Sequence, residues 1–161
     1  MDIDYFASML GNAVLGQSTL SSRLGIRVRD REGLTYGIAS RFFGASLVDG
    51  LWYVSVTVQP SNAEQAIAST LDELRRALED GVTDDEVDAY VSNFIGTFKV
   101  GLATNAGMVG RLVDAEFYGL GPGYLDDFGG IVSAVTRDDV NAALRRHVHL
   151  DRLTTVIAGE F

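Results

Sequence analysis

Apolar residues recur along the chain with two different periods, and the period changes mark the elements. From Asp4 to Leu15, Phe6, Met9, Leu10, Ala13 and Val14 follow the 3.6-residue spacing of an amphipathic helix. Asp2 or Asp4 can cap it, and Gly16 ends it. A second helix is predicted from Leu20 to Arg31, with Leu20, Leu24 and Val28 on one stripe and Gly33 as its stop. Between Leu34 and Gln59 the pattern alternates instead. Tyr36, Ile38, Ser40 and Phe42 share one face of a strand, and Trp52, Val54, Val56 and Val58 share one face of another. Ser46 to Gly50 form the turn between them, which makes an antiparallel hairpin with one buried face.

Beyond Pro60 the pattern is helical and strongly punctuated. Ser61 with Glu64, Thr83 with Glu86 and Thr136 with Asp139 have capping-box spacing, and Val82/Val87 and Val135/Val140 are placed as hydrophobic staples. The first of these helices carries Ile67, Leu71, Leu74 and Leu78 as its stripe and stops at Gly81. The next carries Val87, Tyr90, Val91, Phe94 and Phe98. After a break near Gly101 to Asn105, Met108, Val109, Leu112, Val113 and Phe117 form the inward face of another helix. A loop at Gly119 to Gly123 is followed by two short helices, and Leu153 to Ala158 reads as a final strand. This order gives an α+β fold: helices packed on one face of a small antiparallel or mixed sheet.

A chain of 161 residues fits one domain over 1–161, and at this size folding buries about 70% of the surface that an unfolded chain exposes. With 47% apolar and 22% charged residues, the composition is that of an ordinary globular protein. The formal net charge of -9 argues against nucleic acid as a partner, because that affinity comes from Lys and Arg displacing counterions. The absence of cysteine rules out a disulfide framework, a thiol nucleophile and a thiolate metal site. No apolar run approaches the roughly 18 residues that span a bilayer. The acidic start, Met1-Asp-Ile-Asp-Tyr-Phe, differs from a basic secretory leader. The sequence therefore reads as a soluble polypeptide without membrane insertion. Its compartment is unknown: cytoplasm, or periplasm if the source is bacterial.

Candidate chemistry is sparse. Gly119-Leu-Gly-Pro-Gly123 lacks the Lys and Ser/Thr of a phosphate loop and reads as a turn. Asp84, Asp85, Glu86, Asp126 and Asp127 fall in first helical turns, where carboxylates complement the helix dipole. Arg29 late in the second helix and Tyr36 at the start of the first strand are ordinary positions on the residues alone. Arg23, Arg27 and Arg31 are rivals to Arg29 for any functional role, and otherwise read as a solvated helix face.

Several phrases together resemble the pitrilysin, or insulinase, family of zinc metallopeptidases, of the mitochondrial processing peptidase type. They are Leu15-Gly-Gln-Ser, Ser21-Ser-Arg-Leu, Val28-Arg29 and Gly33-Leu-Thr-Tyr36. Later come Glu79-Asp-Gly-Val-Thr83-Asp-Asp-Glu86, Asp114-Ala-Glu-Phe-Tyr-Gly119, Ile131-Val-Ser-Ala-Val-Thr136-Arg-Asp-Asp-Val140 and Asp151-Arg-Leu-Thr-Thr-Val. The resemblance runs in order through almost the whole chain and is to the family's C-terminal-type domain, which does not bind zinc. The fold it implies is a metallohydrolase-like α/β sandwich that lacks its N-terminal strands here. On that resemblance the chain is expected to be a piece of a longer polypeptide or half of a heteromeric pair, with an uncovered sheet edge expected to invite self-association.

Peptidases of this family hold zinc with a His-x-x-Glu-His motif. This chain has only His147 and His149, at i, i+2, which read as helix-end residues near the last carbonyls. No metal ligand and no other cofactor site is expected here; zinc is expected on a partner domain that carries the motif, so the chain is not expected to be active alone. The resemblance implies that Arg29 and Tyr36 complete the partner's active site by contacting the peptide substrate or its tetrahedral intermediate. The alternative is a non-catalytic structural or assembly module of the same family.

Overall fold

The computed structural model describes residues 3–43 and 50–159. Among these residues there are six α-helices and a two-stranded antiparallel sheet: α1 (Ile3–Asn12), β1 (Thr35–Phe43), β2 (Leu51–Val58), α2 (Ala63–Glu79), α3 (Asp84–Leu102), α4 (Asn105–Phe117), α5 (Tyr124–Ser133) and α6 (Arg137–His147). This is the α+β class that the sequence indicates, with an antiparallel sheet. The predicted hairpin turn at 46–49 lies outside the described residues. Among the described residues, no helix is long and apolar enough to cross a membrane.

The first helix continues past Asn12 into a wider π-wound turn, Ala13–Gln17, and the second helix is π-wound over Gly25–Arg31. Both segments pack on β1, while α1 lies along α6. Leu10, Leu15, Leu24, Val28 and Ile38 are almost completely buried at that junction. One buried polar side chain ties helix to sheet. Asn12 Nδ2 donates to the Ser40 carbonyl at 3.2 Å, and its Oδ1 accepts from Ser40 Oγ at 2.8 Å and from Trp52 Nε1 at 2.9 Å. All of its side-chain polar capacity except one N–H is thereby used, as burial requires.

The two later capping boxes form as predicted. Thr83 caps α3 with Glu86 reaching back, and Thr136 caps α6 with Asp139. The Ser61/Glu64 box does not form. Pro60 opens a 3-10 turn over Pro60–Asn62, which delays the start of α2 to Ala63 and moves the pair out of capping register. The most buried stripe of α2 is accordingly Ala66, Thr70, Leu74 and Ala77, with Ile67, Leu71 and Leu78 at its margins.

Three other expectations are corrected. Leu20 is exposed, because residues 19–21 form a turn and the helix begins only at Arg23. The apolar stripe of α4 does not face inward. Met108, Val109, Leu112, Val113 and Phe117 are all exposed, and Ala115 alone is buried on that helix. Spacing shows that a helix has an apolar face; a covering neighbour is a separate matter. Finally, Leu153 to Ala158 has no ladder partner among the described residues and forms no strand, with Val156 at 83% exposure.

Candidate functional site

The segment from Gly16 to Gly37 forms a corner that turns a short basic helix into β1. The helix stops at Gly33, whose φ of 64° is in the left-handed region that glycine occupies without a Cβ penalty. Gly33 N–H donates to Arg29 O, and Leu34 N–H donates to Val28 O, both at 3.0 Å. Each bond spans one residue more than in a Schellman end on an α-helix, as expected for a π-wound helix. Arg29 and Tyr36 thus lie on either side of a hydrogen-bonded stop, not on a loose connection.

The four arginines of the helix sort by their partners. Arg23 forks onto Glu86, Nε to Oε1 at 2.7 Å and Nη2 to Oε2 at 2.6 Å, and Nη2 also reaches Gly81 O at 3.0 Å. It clamps the basic helix to the end of α2 and the cap of α3. Arg27 reaches Glu32 at 3.0 Å, Asp72 at 2.6 Å and Glu73 at 3.4 Å, holding the same helix to α2. Both were expected on a solvated face and are instead structural, because their partners come from elements distant in sequence. Arg29 pairs only with its neighbour Asp30 among the described residues, and its side chain keeps 33% exposure. Arg31 is exposed, and among the described residues no ion pair forms at it. Arg23 and Arg27 are thus committed to other elements, whereas Arg29 pairs only with its chain neighbour and Arg31 with no ion-pair partner among the described residues.

The Arg23–Glu86 fork carries a pH dependence. Burial pushes the Glu86 carboxyl up, but the hydrogen bond from Arg23, those from Thr83 and the Arg23 charge more than reverse this, so it titrates below the usual glutamate range. A carboxylate lowered in the folded state stabilises fully above its unfolded value, roughly pH 4.3. That contribution is lost as pH falls through the lower folded value. Urea unfolding followed by circular dichroism should show stability declining below about pH 4.3. Glu86→Gln should flatten that decline and lower stability at neutral pH, whereas an unchanged acid slope would show that Glu86 does not contribute.

Among the large hydrophobic side chains of the corner Tyr36 is the most exposed, at 96%. Strict alternation placed it on the face of Ile38 and Ser40, which are buried. The strand instead carries a β-bulge: Thr35 pairs with Val58 and Gly37 with Thr57, leaving Tyr36 as the extra residue. The bulge turns the phenol away from the core. Thr35, which is buried, takes the inward position. Neither Thr35 nor Asn12 stood out in the sequence, since a threonine in a strand and an asparagine in a helix carry no signal until their cross-element partners are known.

Among the described residues, no group of three or more His, Cys, Asp or Glu is placed to hold an ion. His147 Nε2 lies 2.9 Å from Asp4 Oδ2, at the end of α6, where it links α6 to α1.

Comparison with known proteins places the chain as a whole. Residues 2–94 match the model of a family described as the peptidase M16 inactive domain. An uncharacterized zinc protease of Streptomyces coelicolor is 32% identical over 135 residues, which cover 83% of this chain and 29% of that protein. The crystal structure of a peptidase M16 inactive domain from Pseudomonas fluorescens superposes with a TM-score of 0.82 at 32% identity, covering 94% of this chain and 36% of that one. The periplasmic protease PqqL of Escherichia coli has the same fold, with a TM-score of 0.73 at 16% identity, over 91% of this chain and 16% of that one. This chain thus spans about a third of the length of the relatives it resembles in sequence.

Proposed function

The chain belongs to the peptidase M16 inactive-domain family, and on that premise we propose that it is the substrate-binding half of a zinc metallopeptidase. It acts with a His-x-x-Glu-His domain supplied by the same longer polypeptide or by a partner subunit. The histidines of that motif would hold zinc, which would supply an activated water for attack on a peptide carbonyl. This chain contributes donors. The Tyr36 hydroxyl donates a hydrogen bond to the oxygen on which negative charge develops, and the Arg29 guanidinium holds substrate carbonyls or a carboxylate with its fork of N–H groups.

The observation that carries this reading is the outward presentation of Tyr36. A phenol has apolar area to bury, and a strand beside a core offers the place; here a bulge holds the ring in solvent at 96% exposure, next to a helix whose Arg29 has no partner beyond Asp30 among the described residues. The test is peptide hydrolysis by this chain alone and by its equimolar mixture with a His-x-x-Glu-His domain. The isolated chain should be inactive and the mixture active, with activity lost to a chelator and restored by zinc. Zinc-dependent cleavage by the isolated chain contradicts the reading, and an inactive mixture of stably associated domains favours a structural role.

A further inference from the structure

In an uninterrupted strand Tyr36 would lie on the side of Ile38 and Ser40, which are 1% and 0% exposed, because side chains two apart share a face. Its outward position therefore depends on whatever holds the bulge. The polar contacts at the bulge converge on one atom. Thr35 Oγ1 accepts from Gly37 N–H at 2.9 Å, and its single O–H proton is directed to Thr57 O at 2.5 Å, with Gly37 O, at 2.9 Å, sharing that one donor. One oxygen thus joins both flanks of Tyr36 to the opposite strand.

A valine in its place has the same shape and the same preference for strands, but neither donor nor acceptor. Without the hydroxyl, Gly37 N–H and Thr57 C=O lose that partner, and a regular ladder, which pairs backbone groups without it, gains relative to the bulge. The regular ladder turns Tyr36 to the inner face. We propose that Thr35 is the positioning residue that locks the bulge and so holds Tyr36 outward. The lock stands on the geometry alone, while its importance for turnover rests on the reading of Tyr36 as a substrate contact.

The lock is tested on this chain by amide exchange at Gly37, measured by NMR, and by nitration of Tyr36 with tetranitromethane, mapped by peptide mass. In Thr35→Val, Gly37 exchange should accelerate roughly tenfold, as expected for the loss of one net hydrogen bond. Tyr36 nitration should fall towards the rate of Tyr53, which is only partly exposed. Thr35→Ser, which keeps the hydroxyl, should retain both parent values. A folded Thr35→Val protein with unchanged exchange and nitration overturns the lock. Should that variant not fold, Thr35→Ala removes the same hydroxyl and carries the same two outcomes.

The role in turnover is read in the enzyme assembled with its catalytic domain. Thr35→Val should lower kcat in the Tyr36 enzyme, Thr35→Ser should restore it, and Thr35→Val should have no further effect in a Tyr36→Phe background. Equal losses in both backgrounds overturn the positioning role. If Tyr36→Phe itself leaves kcat unchanged, the substrate reading and the positioning role fall together, and the lock is judged by exchange and nitration alone.

Discussion

Replacing Tyr36 by phenylalanine in the assembled enzyme should lower kcat about 100-fold, the usual effect of removing one donor to a developing oxyanion, while leaving the fold intact. The two halves of that expectation have separate grounds. The phenol is 96% exposed, so loss of its hydroxyl removes no buried partner, and the stability change should stay within about 0.5 kcal/mol. The hydroxyl's only task in this account is at the transition state, so the loss should appear in kcat with little change in KM. Arg29→Ala should act on the other term. Losing one charge-assisted hydrogen bond of about 1.5 kcal/mol should raise KM roughly tenfold. Steady-state peptide hydrolysis with thermal unfolding as the control separates these outcomes. Turnover unchanged in both well-folded variants would falsify the assignment of the corner.

Gly25→Ala should be among the most destabilising single substitutions in the chain. A Cβ on Gly25 would lie 2.0 Å from the carbonyl oxygen of Thr19 and 2.6 Å from its carbon. Both are backbone atoms, and no rotamer relieves the clash. The turn that holds Thr19 cannot simply yield, because Thr19 Oγ1 donates to Ile38 O at 3.0 Å and Gly25 N–H donates to Ser22 Oγ at 3.3 Å. Moving it also disturbs Leu24, which is fully buried next door. Overpacking typically costs about 1–3 kcal/mol, and a clash against backbone belongs at the upper end, about 3 kcal/mol, or about 6–12 °C in Tm for a domain of this length. Gly96→Ala is the matching control. It lies within α3 with nothing within 4 Å of the added Cβ, and should stabilise by about 0.5–1 kcal/mol through helix propensity. A Gly25→Ala protein melting within 2 °C of its parent, roughly 1 kcal/mol or less, would show that the turn at Thr19 is softer than its hydrogen bonds imply.

What the sequence made legible was local. The boxes at Thr83/Glu86 and Thr136/Asp139 and the stop at Gly33 depend on residues within a few positions of each other, and they form where the pattern puts them. The hairpin was legible as alternation for the same reason. Features that need a distant partner were hidden. Thr35 becomes a lock only when Thr57 is opposite it, and Arg23 becomes a clamp only when Glu86 arrives. The inner-face position inferred for Tyr36 failed on a single inserted residue, since a one-residue slip in a strand moves a side chain to the other side. The stripe on α4 and the apolar run at Leu153 to Ala158 show the same limit: amphipathicity is written in the sequence, whereas the neighbour that covers it is not. Arg29 and Tyr36 were identified through the resemblance of their surrounding phrases to a peptidase family. The structure adds that Arg23 and Arg27 are tied to other elements while Arg29 and Arg31 are not, and that the tyrosine points outward.

The most direct measurement is a photo-crosslink from the corner to the peptide. Tyr36→p-benzoylphenylalanine, installed in the assembled enzyme with its metal removed so that peptide binds without being cleaved, should give a covalent adduct with bound peptide on irradiation. The adduct should map to position 36 and be competed by unlabelled substrate. No peptide adduct at position 36, under conditions where the peptide is bound, would contradict the claim that this corner forms part of the substrate site.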